Sequence, residues 1–496
     1  MAITIHNNPP NPAPVHNPMV FKVSSDNANE EQFSVIADIS VHDELITRLR
    51  IPLNPDGFAV FDAHKHIQNE IELNKSMIQN GAPSALTITN FGNLQASGGF
   101  ATYSVNLSEE YKAYIPFSEV SNASGNAYLV TQTTPIFEVG DLIDVVTSDV
   151  ASYNQTTTIT NIVENFPDYY IYTTLAYNGD ASGTYSLSNN ELTIFPTGAS
   201  VSNYFAWDAA FDWEEFLYRN NFSIGTPTEQ YFKGYFGNGT STNNNFSTNM
   251  PNGWEVDRNS AVAFNIVYDP SEYTQLYQYM TFDTGATNSN HELIYGPTAM
   301  SLVAFGPRNT NPPFDNQVPE DVSSVQCEIR DDEGNVVFGP ITYTITDNCT
   351  KYERVTLIFK DQKGSYIPFS FDLVSRHTKD IERTTYSKER ALESVYGNVV
   401  PRYTSYKRGK TTIDTKVTDR YTITSNWVNQ TTSDYLMELF ESPDVFWYEK
   451  PGIWNDYTLT PITITDTSVE RKKTINDLII NYTLSFEMSV KNPKIR

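Results

Sequence analysis

Short runs in which apolar and polar side chains alternate recur from one end of the chain to the other, broken by Gly, Asn and Pro. This period of two is what a sheet with one wet face requires, and it constrains the fold more than any other feature. Met19-Val20-Phe21-Lys22-Val23, Phe33 to Val41, Leu45 to Ile51 and Tyr103 to Leu107 carry it near the start. Ala261 to Tyr268, Val325 to Ile329, Arg354 to Lys360 and Leu478 to Glu487 carry it later. Helical spacing is confined to short stretches. Phe61, His64, Ile67 and Ile71 predict a helix over about 62–73. Trp207, Ala210, Phe211, Leu217 and Tyr218 share one helical face, and residues 433–440 form a third, stopped by Ser442-Pro443. The expected class is mainly β: several sandwich- or barrel-like domains with a few short helices.

Turn chemistry and texture set the expected boundaries. Residues 1–18 contain Asn8-Pro9-Pro10-Asn11-Pro12-Ala13-Pro14. Proline removes backbone donors, so this segment reads as an extended arm outside any core. Residues 19–121 with 187–203 form an N-terminal β domain. Between them, 122–186 holds short strands at close spacing, flanked by Ser121-Asn122-Ala123-Ser124-Gly125 and by Asn189 and Asn190, and reads as an inserted small barrel or sandwich. Residues 204–350 form an acidic middle domain and 351–496 a C-terminal one. Asp331 to Asn335 and Asp361 to Gly364 read as hairpin turns.

The last boundary follows charge. The whole chain carries 33 Lys and Arg against 59 Asp and Glu. Residues 1–350 account for 11 and 40 of these, a balance of −29, whereas 351–496 hold 22 and 19, a balance of +3. An acidic chain of this kind is no general nucleic-acid binder, because phosphate attraction needs clustered cations. The asymmetry suggests a basic part docked on acidic neighbours; a chance gathering of basic strands is the alternative. Arg383, Lys407, Arg408 and Lys410 are the candidate docking cations. They lie among Tyr residues and enough carboxylates that a protein interface or solvated ribbon fits better than nucleic acid.

Little in the sequence points to chemistry. It has no nucleophile elbow, phosphate loop, His-Glu-x-x-His or dinucleotide fingerprint. His64 and His66 fall on different faces of their helix. Carboxylate pairs can be drawn from Asp208, Asp212, Glu214 and Glu215, but acids are abundant. Cys327 and Cys349 can pair across a hairpin or stay as buried thiols. No catalytic residue, metal or cofactor is expected. Tyr169, Tyr170, Tyr172 and Trp254 are candidate aromatics facing an interface or a glycan, with core packing as the bland alternative. No apolar run is long enough for a membrane span, and the N-terminus lacks a basic region followed by an apolar stretch, so no signal peptide is expected.

Several short segments carry a resemblance. They are Ile381-Glu382-Arg383-Thr384-Thr385-Tyr386, Tyr421-Thr422-Ile423-Thr424-Ser425-Asn426-Trp427 and Glu438-Leu439-Phe440-Glu441-Ser442-Pro443-Asp444-Val445. Pro461 to Asp466, Asn481 to Glu487, Phe246 to Pro251 and the opening Asn17-Pro18-Met19-Val20-Phe21 join them. In these the chain resembles virion structural proteins of phages infecting Bacteroidetes-type bacteria, of the tail or tail-tip kind; 122–186 falls outside them. The resemblance implies a place in a particle, at tail, tail tip or neck, after synthesis in the host cytoplasm. Its partners would be further copies of itself, in a ring or fibre-linked oligomer, and other virion proteins. A glycan-binding adhesin that recognises the host surface is the alternative, and a polysaccharide-active enzyme the second.

Overall fold

The computed structural model describes residues 3–74, 99–135, 137–147, 150–165, 167–188, 192–213, 216, 235–237, 244–269, 271–273, 275–292, 300–308, 318–347, 350–387, 392–395, 398–401, 410–449, 458–466, 468–469 and 480–489. It is mainly β, with several separate sheets. The chain divides into two compact units. The first comprises Met1–Leu73, Ala101–Ala206 and Glu214–Tyr231; the second comprises Asn74–Phe100, Trp207–Trp213 and Phe232–Arg496.

In the first unit a three-stranded sheet (Ile3–Asn7, Val20–Ser25, Ala59–Asp62) and a five-stranded sheet enclose one core. The five-stranded sheet runs in the order Ala13–Pro14, Thr193–Trp207, Phe100–Tyr111, Ser34–Val41, Glu44–Pro52. Phe100–Tyr111 shows how the sequence makes it: Ala101, Tyr103, Val105 and Leu107 point inward while the residues between them do not. The helix His64–Asn74 buries Ile67 and Ile71, one turn apart. The proline-rich start is not the free arm its composition suggests. Ile3–Asn7 pairs with Val20–Ser25, and Ala13 and Val15 are fully buried. Proline tolerates edge positions where no ladder donor is needed, so the segment docks within its own chain.

The inserted module is a seven-stranded antiparallel sheet with its own core of Ile115, Leu129, Ile143, Val145, Ile171 and Tyr185 among others. Its order is Ile115–Phe117, Gly183–Leu187, Leu142–Thr147, Gln155–Asn165, Asp168–Ala176, Asn126–Thr131, Glu119–Ala123. Its first strand begins at Ile115, ahead of the expected Asn122. The first strand and Ser118, which follows it, are tied to Asn126–Thr131: Ser118 N donates to Val130 O at 2.8 Å and Thr131 Oγ1 to Pro116 O at 2.8 Å.

In the second unit a large sheet and a five-stranded sheet (Trp254–Asp257, Val336–Thr346, Ser324–Arg330, Tyr277–Phe282, Thr287–Glu292) share one continuous core. The large sheet runs Phe236–Gly237, Ala263–Tyr268, Tyr366–Phe371, Val355–Lys360, Val445–Glu449, Thr458–Ile464, Thr483–Met488, Lys410–Thr424, Arg376–Ser387, with Met300–Ala304 also on Ala263–Tyr268. Strands from either side of residue 350 therefore belong to one sheet, and the change in charge balance there is no fold boundary. Charge distributes on surfaces, whereas cores are partitioned by apolar contact. Of the segment expected to be helical from Trp207, the beginning instead ends a strand at Trp207, whose Nε1 donates to Ser247 Oγ at 3.3 Å, while Trp213 and Phe216 are helical; Leu217 and Tyr218 lie outside the described residues. The helix Gln430–Glu441 forms where expected, capped by Asn429 Oδ1, which accepts from Thr432 N at 2.8 Å.

Candidate functional site

The strand Arg376–Ser387 is exposed at all 12 of its positions. It pairs antiparallel with Lys410–Thr424 along its whole length, from Arg376 opposite Thr422 to Ser387 opposite Lys410. On its other side Lys410–Thr424 is joined by Thr483–Met488 only over Arg420–Thr424. Beyond Arg420 the two strands pair only with each other among the described residues. At a rise near 3.4 Å per residue, this two-stranded ribbon extends for about 35 Å with both edges bare.

The sequence explains why it is exposed. Neither strand has an apolar face: Arg-His-Thr-Lys-Asp-Ile-Glu-Arg-Thr-Thr-Tyr-Ser lies opposite a strand rich in Thr, Asp and Lys. Its base is anchored, because Tyr421 stacks on Phe486 at 5.2 Å and on the His377 ring at 4.4 Å. Further out, the apolar groups of the two strands are Ile381, 48% exposed and opposite the half-buried Val417, with Ile413, 60% exposed, and Tyr386. Ile413 sits where the register slips between Thr384 and Thr385, as the extra residue of a bulge. Ion pairs rung the base: His377 with Asp419 at 3.0 Å, Lys379 with Asp419 at 3.7 Å, Arg420 with Asp380 at 3.7 Å. Farther along, Arg383 has no ion-pair partner among the described residues. Residues 376–420 hold 11 Lys and Arg against 6 Asp and Glu, so this segment is +5 in a chain of −26.

Of the four candidate docking cations, Arg383 and Lys410 lie exposed on the ribbon's two strands, near its middle and far end; Lys407 and Arg408 lie outside the described residues. The candidate aromatics do not gather in one place. Tyr170 and Tyr172 are on the inserted module, half-buried, with ring centroids 5.5 and 5.2 Å from that of Tyr128. Tyr169, one residue out of phase, lies on the opposite face, and its hydroxyl accepts from Thr134 Oγ1 at 3.4 Å. Trp254 is no exposed platform. It is 3% exposed in the core of the second unit, packs edge-on to Tyr435 at 4.9 Å, and donates its indole N–H to Pro368 O at 2.8 Å. Alternation along Trp254–Asp257 turns it inward and Glu255 outward. Two other tryptophans are exposed, Trp213 and Trp427, and neither is among the candidate site residues of the sequence.

Two buried polar clusters in the second unit hold the chain together. Lys360 is ion-paired with Asp208, both nearly inaccessible to water, so Asp208 is committed to a buried pair. Asp212 is exposed, and Glu214 and Glu215 are outside the described residues. In the second cluster Glu438 accepts from Asn249 Nδ2 at 2.8 Å and from Gln362 N at 2.9 Å. Asp361 accepts from Thr248 Oγ1 at 2.5 Å and from Ser365 N at 2.8 Å. Burial first and the neighbouring Asp361 second push Glu438 up to about 8; burial also raises Asp361. These acids fasten a hairpin turn and a loop to the helix Gln430–Glu441. Cys327 is buried, its thiol pushed well up by burial, and Cys349 is outside the described residues. Among the described residues no helix is long and apolar enough to cross a membrane, and no group of His, Cys, Asp or Glu is placed to hold a metal.

No protein-family model matches the chain, and no curated protein matches it.

Proposed function

We propose that this chain is a structural subunit whose two-stranded ribbon grips a second copy of itself, and that the assembly is part of a bacteriophage virion, at the tail, tail tip or neck. The ribbon carries this reading. A hairpin with no third strand and no buried face is marginal in water, so one of this length is best supported by a surface outside its own fold. Bare edges invite strand addition from another chain. Its charge suits the partner: the segment 376–420, at +5, meets a chain whose residues 1–350 carry −29, which favours attraction between copies. The short segments resembling phage virion proteins include Ile381 to Tyr386 on the ribbon itself, and they are what suggests a virion rather than another assembly. Other virion proteins would complete the contacts. The adhesin alternative draws on the Tyr128, Tyr170 and Tyr172 cluster, but these rings pack against one another and leave less free face for a sugar.

The test compares the full chain with a variant in which residues 379–419 are replaced by Asn-Gly, closing the ribbon as a tight hairpin just beyond Thr378 and Arg420. The full chain should form a discrete oligomer by light scattering as concentration rises, weakening with added salt. The shortened variant should remain monomeric with an unchanged unfolding midpoint. A full chain that stays monomeric at the highest attainable concentration overturns the reading, as does an oligomer indifferent to the ribbon.

A further inference from the structure

A second feature of the second unit is independent of the ribbon. A cleft of about 450 Å³ opens between the loop and strand at 251–255 and the start of the helix Gln430–Glu441. Its size is within the range of small-molecule sites. Trp427 stands at it, 64% exposed, and buried Trp254 contributes to its wall. An indole this accessible offers a flat apolar face, with a polar N–H at its edge, to whatever enters the cleft. Trp427 is not on a loose loop. Ser425 N donates to Tyr482 O at 2.8 Å and Val428 N to Ile480 O at 2.7 Å, so the backbone is tied on both sides of the ring.

The polar lining is fixed as well. Asn252 Oδ1 accepts from Thr342 N at 3.1 Å, and Asn429 Oδ1 accepts from Thr432 N at 2.8 Å. Because each carboxamide oxygen is held by a backbone donor, the orientation of both amides is decided, and their Nδ2 groups remain to donate elsewhere. Glu255 supplies an acceptor and Thr431 a hydroxyl. The cleft thus offers an aromatic face, two oriented amide donors and a carboxylate, each set on a tethered backbone.

We infer that this cleft binds a neutral saccharide, with Trp427 under the C–H face of a pyranose ring and Asn252, Asn429 and Glu255 bonding its hydroxyls. A protein partner is less suited, since interface anchors seat in apolar pockets whereas the surface of this cleft is more polar than apolar, with Asn252, Glu255, Asn429, Thr431 and Thr432 on its wall. Glu255 and the acidic character of the chain disfavour a uronic acid or other anionic sugar.

The experiment is calorimetric titration of the full chain with glucose, galactose, mannose, rhamnose, N-acetylglucosamine and their disaccharides, with glucuronic acid as the charged comparison. At least one neutral sugar should bind saturably. Trp427→Ala should weaken it by about tenfold or more while leaving the unfolding midpoint unchanged, since the ring is mostly exposed. Asn252→Ala should also weaken it, and the ribbon-shortened variant should bind as well as the full chain, which keeps this result separate from assembly. Absence of saturable binding by every neutral sugar overturns the inference, as do tighter binding of glucuronic acid and binding indifferent to Trp427→Ala. Loss of oligomerisation in Trp427→Ala without sugar binding would instead make the ring an interface anchor.

Discussion

Replacing Glu438 by Gln should change how the stability of the second unit depends on pH, and the sign is set by burial. In the folded chain the carboxyl titrates near 8 rather than at its ordinary 4.5, because burial and the adjacent Asp361 both disfavour its charge. A folded value raised above the unfolded one means the folded state holds a proton that the unfolded chain has released. The stability it contributes is complete below about pH 4.5 and is lost as pH rises towards 8. At roughly 1.4 kcal/mol per unit, that loss is on the order of 3 kcal/mol between pH 5 and 8. Asp361, also raised, acts in the same direction. Glutamine is a close match in shape to the protonated acid. Its oxygen can accept from Gln362 N, and a rotated Asn249 carboxamide can accept from its amide, so at pH 5 the variant should lie within about 1 kcal/mol of the parent. By pH 8 it should be the more stable protein, and the two curves should cross. The assay is urea unfolding at pH 5, 7 and 8 followed by tryptophan fluorescence, to which Trp254, packed on Tyr435 in the same core, contributes. The difference between parent and variant removes the general repulsion of a −26 chain. Parallel pH profiles, or a parent that gains stability over this range, would refute the argument.

Other expectations follow from single contacts. Lys360→Met leaves Asp208 buried without its ion pair and should cost about 3–5 kcal/mol in urea unfolding; the double change with Asp208→Leu should recover much of it. Gly183→Ala places a Cβ 2.0 Å from Val146 O, where Gly183–Leu187 pairs with Leu142–Thr147, and should destabilise the module by about 1–3 kcal/mol or more, read as earlier hydrogen exchange of those two strands. Ile381→Asp with Ile413→Asp touches no core and should leave the unfolding midpoint within about 0.5 kcal/mol, while weakening self-association in light scattering.

The alternating pattern was enough to announce a β protein. It placed the strands at Phe100–Tyr111, Val355–Lys360 and Tyr366–Phe371 and the turn at Asp361, because period and turn chemistry are local properties of the chain. The helices at His64–Asn74 and Gln430–Glu441 were equally legible from their apolar spacing. Which strands become neighbours was not, since any strand of suitable face can pair with another, and so the sheet joining residues on both sides of position 350 had to be seen in space. The proline-rich start failed as an arm for the same reason: composition told of missing donors, not of the pocket that buries Ala13 and Val15. For the site, Arg383 and Lys410 could be picked out by charge. The stronger signal, a strand with no apolar face from Arg376 to Ser387, went unread, as did Tyr128 beside Tyr170 and Tyr172. Trp254 and Trp427 look alike in sequence. At one cleft, Trp254 is buried in the wall and Trp427 stands exposed, because exposure depends on what the rest of the fold lays over a side chain, and only the tertiary structure decides that.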